Sequence, residues 1–540
     1  MPTKPRIGFI ILVIAGLMPQ LALAERPLSA IDWLSHSVTT PTTIAPDAAA
    51  VDPATTPPKP PVNGSQANLP AVAGEVAVST DARPADVAVS VLGGPSPDAV
   101  GLLPPNVTGF PRALWGIGRT NDIAAAITLV NPEDLPALQG LLVTLLLAEA
   151  EAPADAAGSG ALLLARIDKL LNIGALDQAQ ALIEAAGAAS TPELFRRSFD
   201  VALLTGEEDR SCSVMQRSPA LAPTLTARVF CLARSGDVNA AMLTLQTSKA
   251  LGTVSAEDYA LLSRFLDPEL FDDTDLLPPP KPITPLVWRI HDALGETLST
   301  ATLPPAFAHA ELSERAGWKA QIEAAERLVR VGAIVPNVIL GLYTDRTPAA
   351  SGGVWDRADA FQHFDTALTK ADEAAVEQRL PLAYARMQDV ELEVPFAVLF
   401  AAQLAKLPLK GDAARIAYEL ALLSPEYETL SKTLPAGADA RMTFLAGLAA
   451  GSVTGLVSPD SMARAIAPAF ATADLPADIA PMIAQGRTGE AILAAMARID
   501  SGVQGELVKV TEGLIVLRKL GLEDVARRTA IELMLLERRG

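Results

Sequence analysis

The sequence predicts an all-α protein: an α-solenoid of helical hairpins in two lobes, preceded by a signal peptide and a disordered Pro/Ala/Thr-rich linker. Three observations support this fold class. Apolar residues recur at helical spacing from Phe110 onward, single glycines separate the helical segments, and no segment shows the alternation of a strand. A helix with one apolar face buries that face against a neighbour, so successive hairpins stack into a layered array.

Residues 1–24 have the features of a cleaved signal peptide. Lys4 and Arg6 precede an apolar run over residues 7–18, and Ala22 and Ala24 supply the small side chains that signal peptidase requires. We expect cleavage after Ala24 and export to a bacterial periplasm. The run is shorter than the roughly 20 apolar residues that span a bilayer, and no longer run follows it. The sequence therefore predicts no transmembrane span after removal of the signal.

A short peptide at residues 25–38 is predicted to be helical and to bind another surface. On a helix Leu28, Ile31, Leu34 and Val38 share one face, and Trp33 directly precedes Leu34 in the sequence. Two binding interpretations remain open, and a third is that the peptide merely remains after signal cleavage and binds nothing. The peptide docks into a groove of a partner protein, or it packs onto this protein's own body.

Residues 39–105 form the predicted linker. Residues 41–105 contain 13 prolines, and no aromatic residue occurs between Trp33 and Phe110. Without bulky side chains such a stretch does not offset the entropy cost of ordering the chain, so we expect it to be extended and disordered. Its Ala, Pro and Thr content superficially resembles antifreeze glycopeptide, without the Ala-Ala-Thr period of that family.

The body of the chain repeats one turn motif, a glycine followed five positions later by a small residue. The pairs are Gly174 with Ala179, Gly206 with Ser211, Gly236 with Ala241, Gly486 with Ala491, and Gly521 with Ala526. A left-handed glycine ends one helix, and the small residue permits close approach of the next. Over residues 160–255 and 400–540 the chain resembles tetratricopeptide-type helical repeats, and that resemblance implies a protein-binding scaffold.

A proline-rich hinge at residues 276–286 is predicted to separate the two lobes, 106–275 and 287–540. Consecutive prolines, beginning at Pro278, forbid helix and favour an extended spacer. Within the first lobe, Cys212 and Cys231 lie on either side of a predicted turn on two antiparallel helices. In an oxidising compartment we expect them within bonding distance, with Cα atoms less than about 7 Å apart. The alternative is a pair of reduced, buried thiols.

The loop at residues 343–357 is the second candidate for protein binding. It contains Tyr343, Arg346, Trp355 and Arg357, which are residue types enriched at binding hot spots. In the other interpretation Trp355 packs against the following helix, and the arginines pair internally with neighbouring aspartates to brace the loop.

Charge and motifs exclude several classes of function. The net charge is −19, and it becomes −21 once residues 1–24 and their two basic residues are removed. Such an acidic protein is not expected to bind nucleic acid. No catalytic, metal-ligating or cofactor-binding pattern occurs, and the four histidines (His36, His291, His309 and His363) lack metal-ligand spacing.

The sequence therefore predicts a periplasmic protein-binding or scaffold component of the cell envelope, with an envelope protein as partner, no cofactor and no enzymatic activity. The alternative from another class is a peptidoglycan-acting enzyme similar to lytic transglycosylases, some of which contain large α-helical superhelices. A further alternative is an uncharacterised protein that resembles antifreeze glycopeptide only in its Ala/Pro/Thr-rich segment.

Overall fold

The computed structural model describes residues 96–271, 277–296, 298–471 and 474–536. This part of the chain contains 24 α-helices and five 3₁₀ helices, and its only strand-like pairing is one isolated bridge between Leu103 and Ala148. The predicted all-α fold class is confirmed. The predicted signal peptide, the predicted binding peptide with Leu28, Ile31, Trp33 and Leu34, and most of the predicted linker lie outside the described residues.

The α-helices are α1 Pro105–Thr108, α2 Thr120–Leu129, α3 Pro136–Leu147, α4 Ala161–Asn172, α5 Leu176–Ala186, α6 Pro192–Thr205, α7 Glu208–Arg217, α8 Leu225–Arg234, α9 Val238–Ala250, α10 Ala256–Leu266, α11 Pro285–Ala293, α12 Trp318–Arg330, α13 Asn337–Asp345, α14 Val354–Thr369, α15 Glu373–Gln388, α16 Glu393–Leu404, α17 Gly411–Leu423, α18 Tyr427–Leu430, α19 Ala440–Ala449, α20 Ser461–Ile466, α21 Ala480–Ala484, α22 Thr488–Val503, α23 Leu507–Lys519 and α24 Glu523–Leu535. The 3₁₀ helices are Pro97–Ala99, Pro219–Leu221, Pro268–Phe271, Pro305–Leu312 and Ala467–Phe470. None of the described helices has the length and apolar character needed to cross a membrane.

The predicted glycine turns connect consecutive helices. After α4, Gly174 has a φ of 79°, and the N–H of Ala175 donates to the carbonyl of Leu170 at 2.8 Å. This six-to-one bond is the mark of a left-handed helix end. The small residue of the motif, Ala179, is fully buried on α5. The other four glycines also have positive φ, and their small partners are buried: Gly206, Gly236, Gly486 and Gly521, with Ser211, Ala241, Ala491 and Ala526.

The buried apolar residues of the described chain form one large cluster, one smaller cluster and a minor third group of five residues around α12. The large cluster draws on residues 110–204 and 288–535, so it includes residues from both sides of the predicted hinge. The smaller cluster draws on residues 195–290, which we call the side lobe. Helix α6 belongs to both clusters, since Leu194 and Val201 face the first while Phe195 and Phe199 face the second. The division into lobes 106–275 and 287–540 stays a prediction.

The two ends of the described body pack against each other. Helix α3 contacts α24, and α2 contacts α22. Beside these helices the N–H of Gly489 donates to the carbonyl of Leu114 at 2.9 Å. A Cβ atom on Gly489 would lie 2.4 Å from the Trp115 ring, so only glycine fits this contact without displacement. The first long helices of the described body, α2 and α3, therefore pack against two of its last helices, α22 and α24.

The segment before α1 is ordered, although composition placed residues 96–105 in the linker. The buried Asp98 carboxylate accepts a hydrogen bond from the N–H of Leu163 at 2.8 Å. The buried guanidinium of Arg166 donates to the carbonyls of Val100, Leu146 and Ala148. These hydrogen bonds to α4 hold the segment in place, and its apolar residues Val100, Leu102 and Leu103 pack against the core.

In the side lobe, Cys212 on α7 and Cys231 on α8 form a disulfide. Their Cα atoms are 5.0 Å apart. Both residues are buried, and α7 packs against α8. The bond therefore joins the two helices inside the smaller apolar cluster.

Candidate ligand-binding cavity

Two of the four protein-binding candidates in residues 343–357, Tyr343 and Arg357, form contacts inside the protein. Tyr343 is fully buried, and its hydroxyl donates to Glu326 Oε1 at 2.5 Å. Arg357 donates to both oxygens of the same carboxylate, at 2.8 and 2.7 Å. Burial, together with the Glu326 charge, raises the pKa of Tyr343 well above its ordinary value. The phenol therefore stays protonated as a donor to Glu326.

The other two candidates lie apart from this cluster. The Trp355 ring is half-buried against Trp318, with ring centroids 5.1 Å apart. The Arg346 side chain is exposed and pairs with the adjacent Asp345 at 3.0 Å. The structure thus brings Tyr343 and Arg357 together at Glu326. Of the four, only Arg346 has an exposed side chain.

A cavity of about 710 Å³ lies in the side lobe, remote from that loop in the sequence. Its wall is formed by one face of α6, the first turns of α8, α10 and α11, and the proline-rich residues 277–282. The apolar part of the wall includes Phe199, Leu225, Leu261 and Leu286. This combination of volume and mainly apolar wall with a few polar groups is typical of ligand sites.

Two charged residues of α6 line the cavity without forming hydrogen bonds to each other. Arg196 and Asp200 are four positions apart, which places them on one face of the helix. Asp200 is only 4% exposed, and its Oδ2 atom has no hydrogen-bond partner in the described residues. The same is true of the buried Arg196 Nε atom. Burial raises the pKa of Asp200 to about 7, against smaller opposing effects of Arg196 and Arg197.

The neighbouring guanidinium of Arg197 is already engaged elsewhere. It donates to both oxygens of Asp168 on α4, at 2.5 and 2.7 Å, and to the carbonyl of Glu193 at 3.0 Å. This bidentate pair joins α4 to α6. Arg197 therefore anchors the side lobe to the body, and it forms no hydrogen bond with Asp200.

Three helices begin at the cavity. Thr224, Ser255 and Thr284 are the N-cap residues of α8, α10 and α11, and each side chain accepts a hydrogen bond from an N–H in its first turn. Side-chain capping leaves other first-turn N–H groups free to bind a ligand. The first turns of α8 and α11 contain no acidic residue, whereas α10 contributes Glu257 and Asp258.

His291 completes the polar part of the wall. It lies on α11, is buried, and has its Nδ1 atom 3.2 Å from Glu296 Oε2. No sequence pattern places this histidine in the same cavity wall as Asp200, since the two residues are 91 positions apart.

Sequence reasoning missed Arg196 and Asp200, although a signal was present. Both occur in a helix whose buried apolar residues, such as Phe199, Leu203 and Leu204, leave little room for a solvated polar face. Charged residues in such a helix indicate either an internal ion pair or a functional site.

The described residues contain no group of three or more His, Cys, Asp or Glu side chains able to hold a metal ion. Comparisons with protein-family models, curated proteins and solved structures found no match to this chain.

Proposed function

We propose that the protein is an exported α-helical scaffold of the bacterial cell envelope, and that the side-lobe cavity holds a polypeptide segment of an envelope partner. The observation that carries this proposal is the Asp200 carboxylate, buried on the cavity wall with an oxygen that has no hydrogen-bond partner. Leaving a buried polar group unpaired costs about 1–3 kcal/mol. A ligand that donates to Asp200 offsets this cost.

The polar groups of the cavity suit a peptide backbone in particular. A polypeptide presents both N–H donors and carbonyl acceptors. Free N–H groups in the first turns of α8 and α10 suit the carbonyls, while Asp200 accepts from donors. The proposed class of ligand also agrees with the resemblance to tetratricopeptide-type repeats, whose members bind proteins.

In this proposal the amino-terminal region exports the protein and tethers a second binding segment to the helical body. Residues 1–24 direct export, residues 39–105 act largely as a tether, and residues 25–38 form a second contact. That contact is either with the same envelope partner or with this protein's own body.

A pair of matched substitutions tests whether the cavity captures a partner. Thr226 lines the cavity in the first turn of α8, and its replacement T226W places a bulky indole at the cavity wall. Thr128 is exposed on α2, outside the cavity, so T128W is the control. Both proteins are used as bait in pull-downs from the native envelope, after circular dichroism confirms equal helicity.

We expect the same envelope proteins with wild type and T128W, and their loss with T226W. Recovery of an identical set with T226W would overturn the proposal that the cavity holds the partner.

A further inference from the structure

The charge at the cavity wall defines the kind of ligand that satisfies it. Asp200 is the most deeply placed carboxylate there, at 4% exposure. Arg196 lies on the same helix face, but no hydrogen bond joins the two side chains, and Arg197 is occupied by Asp168. The Asp200 carboxylate therefore lines the cavity without a hydrogen bond from either neighbouring guanidinium group.

A cationic donor suits this position better than a neutral one. Hydrogen bonds with an ionised donor or acceptor are about twice as strong as those between neutral groups, and a cationic donor adds Coulomb attraction to the carboxylate. The wall contains three carboxylates, Asp200, Glu257 and Asp258, against the two cationic side chains of Arg196 and Lys281. The whole chain has a net charge of −19, so its long-range field also attracts cations.

The rest of the wall suits an alkyl chain. Phe199, Leu261 and Leu286 provide apolar surface beside the carboxylate. Pro278, Pro279 and Pro280 have no N–H group, so this part of the wall donates no backbone hydrogen bond. Lysine and arginine bury their methylene stems against apolar surface while the charged head reaches a polar partner.

We propose that the cavity binds a lysine or arginine side chain of an extended polypeptide, with its cationic head on Asp200 and its stem against Phe199 and Leu286. The backbone carbonyls of the same segment accept from the free first-turn N–H groups of α8 and α10. This inference rests on the proposed function, since it takes the ligand to be a polypeptide.

Calorimetric titration of the full chain with capped pentapeptides tests the inference. One peptide has lysine at the centre of four alanines, the second has norleucine, which keeps the stem and lacks the charge, and the third has glutamate. We expect the lysine peptide to bind at least about tenfold more tightly than the other two, the size of one charge-assisted contact. Equal binding of the lysine and norleucine peptides would overturn the inference.

Substitution of Asp200 locates the effect. D200N keeps the shape of the side chain and removes its charge, and we expect it to lower the lysine affinity to that of norleucine. D200A serves as a second variant if the amide finds new partners. D122N, at an exposed aspartate of α2, is the matched control and should leave the preference unchanged. A lysine preference that survives in both Asp200 variants would contradict the assignment.

Two further outcomes separate this inference from the proposed function. If T226W loses partner capture but no lysine preference exists, the charge assignment fails and the proposed function stands. If 1,5-diaminopentane binds about tenfold more tightly than the lysine peptide, the ligand is a free diamine and the polypeptide assignment fails.

Discussion

The carboxylate of Glu532 accepts a hydrogen bond from the backbone N–H of Ala137, which lies 3.1 and 3.0 Å from its two oxygens, although the residues are 395 positions apart. Ala137 is the second residue of α3, whose own N-cap, Leu135, provides no capping side chain. The last of the described helices, α24, therefore caps one of the first, α3. Glu532 is buried, so the contact is shielded from solvent.

Loss of this cap should destabilise the whole body. E532A leaves the N–H of Ala137 unpaired in the interior, and we expect the free energy of unfolding to fall by about 1–3 kcal/mol. E532Q keeps an acceptor without the charge and should cost less. Urea denaturation followed by circular dichroism measures both. The control is E323A at an exposed glutamate of α12, and an E532A protein as stable as E323A would contradict the role of the cap.

The contact between Gly489 and Trp115 predicts an unusual effect of alanine in a helix. G489A places a methyl group 2.4 Å from the indole, so we expect it to destabilise the protein despite the better helix propensity of alanine. In α13, Gly341 has no atom within 4 Å of an added Cβ. G341A should therefore be neutral or stabilising by up to about 1 kcal/mol. Equal effects of G489A and G341A on the thermal midpoint would show that the contact between Gly489 and Trp115 is not tightly packed.

The buried Asp200 predicts a pH dependence of stability with a definite sign. Its pKa is raised from 3.8 to about 7 in the folded protein, mainly by burial, with Arg196, Arg197 and Asp168 as charged neighbours. Between these pH values the folded state holds a proton that the unfolded state has lost. This carboxyl group therefore makes the protein less stable as pH rises from about 4 to 7, and the loss is complete above pH 7.

D200N removes this contribution. One pKa unit corresponds to about 1.4 kcal/mol, so the stability of D200N relative to wild type should increase by several kcal/mol between pH 4 and pH 8. Denaturant unfolding at pH 4, 6 and 8 provides the measurement. Parallel pH profiles of the two proteins would show that Asp200 is not desolvated in the folded state.

The amino-terminal peptide, residues 25–38, lies outside the described residues, and its role is tested by measuring partner capture. If it docks onto a partner, W33A combined with L34A should abolish partner capture because it removes the apolar face. Deletion of about twenty linker residues should leave capture nearly unchanged, since effective concentration varies slowly with tether length. Capture that survives the double alanine change would exclude docking. Loss after shortening alone would place recognition in the linker.

Local patterns predicted the helices and their turns, because a glycine such as Gly174 and a small residue such as Ala179 determine a hairpin within a few positions. The pairing of Glu532 with Ala137 could not be predicted from local patterns, since it depends on how helices 395 positions apart pack together. Residue type alone did not show whether Tyr343 and Arg357 form an exposed binding surface or an internal polar contact. Both uses favour a large side chain that has a polar end.

Site-specific photo-crosslinking in the native envelope tests the central claim most directly. A benzophenone amino acid replaces Thr226 at the cavity or, as control, Thr128 on α2, and crosslinked products are identified by mass spectrometry after irradiation. We expect a discrete envelope protein joined to the Thr226 position through a segment containing lysine or arginine, and no such product from Thr128. Identical products from both positions, or none from Thr226, would contradict it.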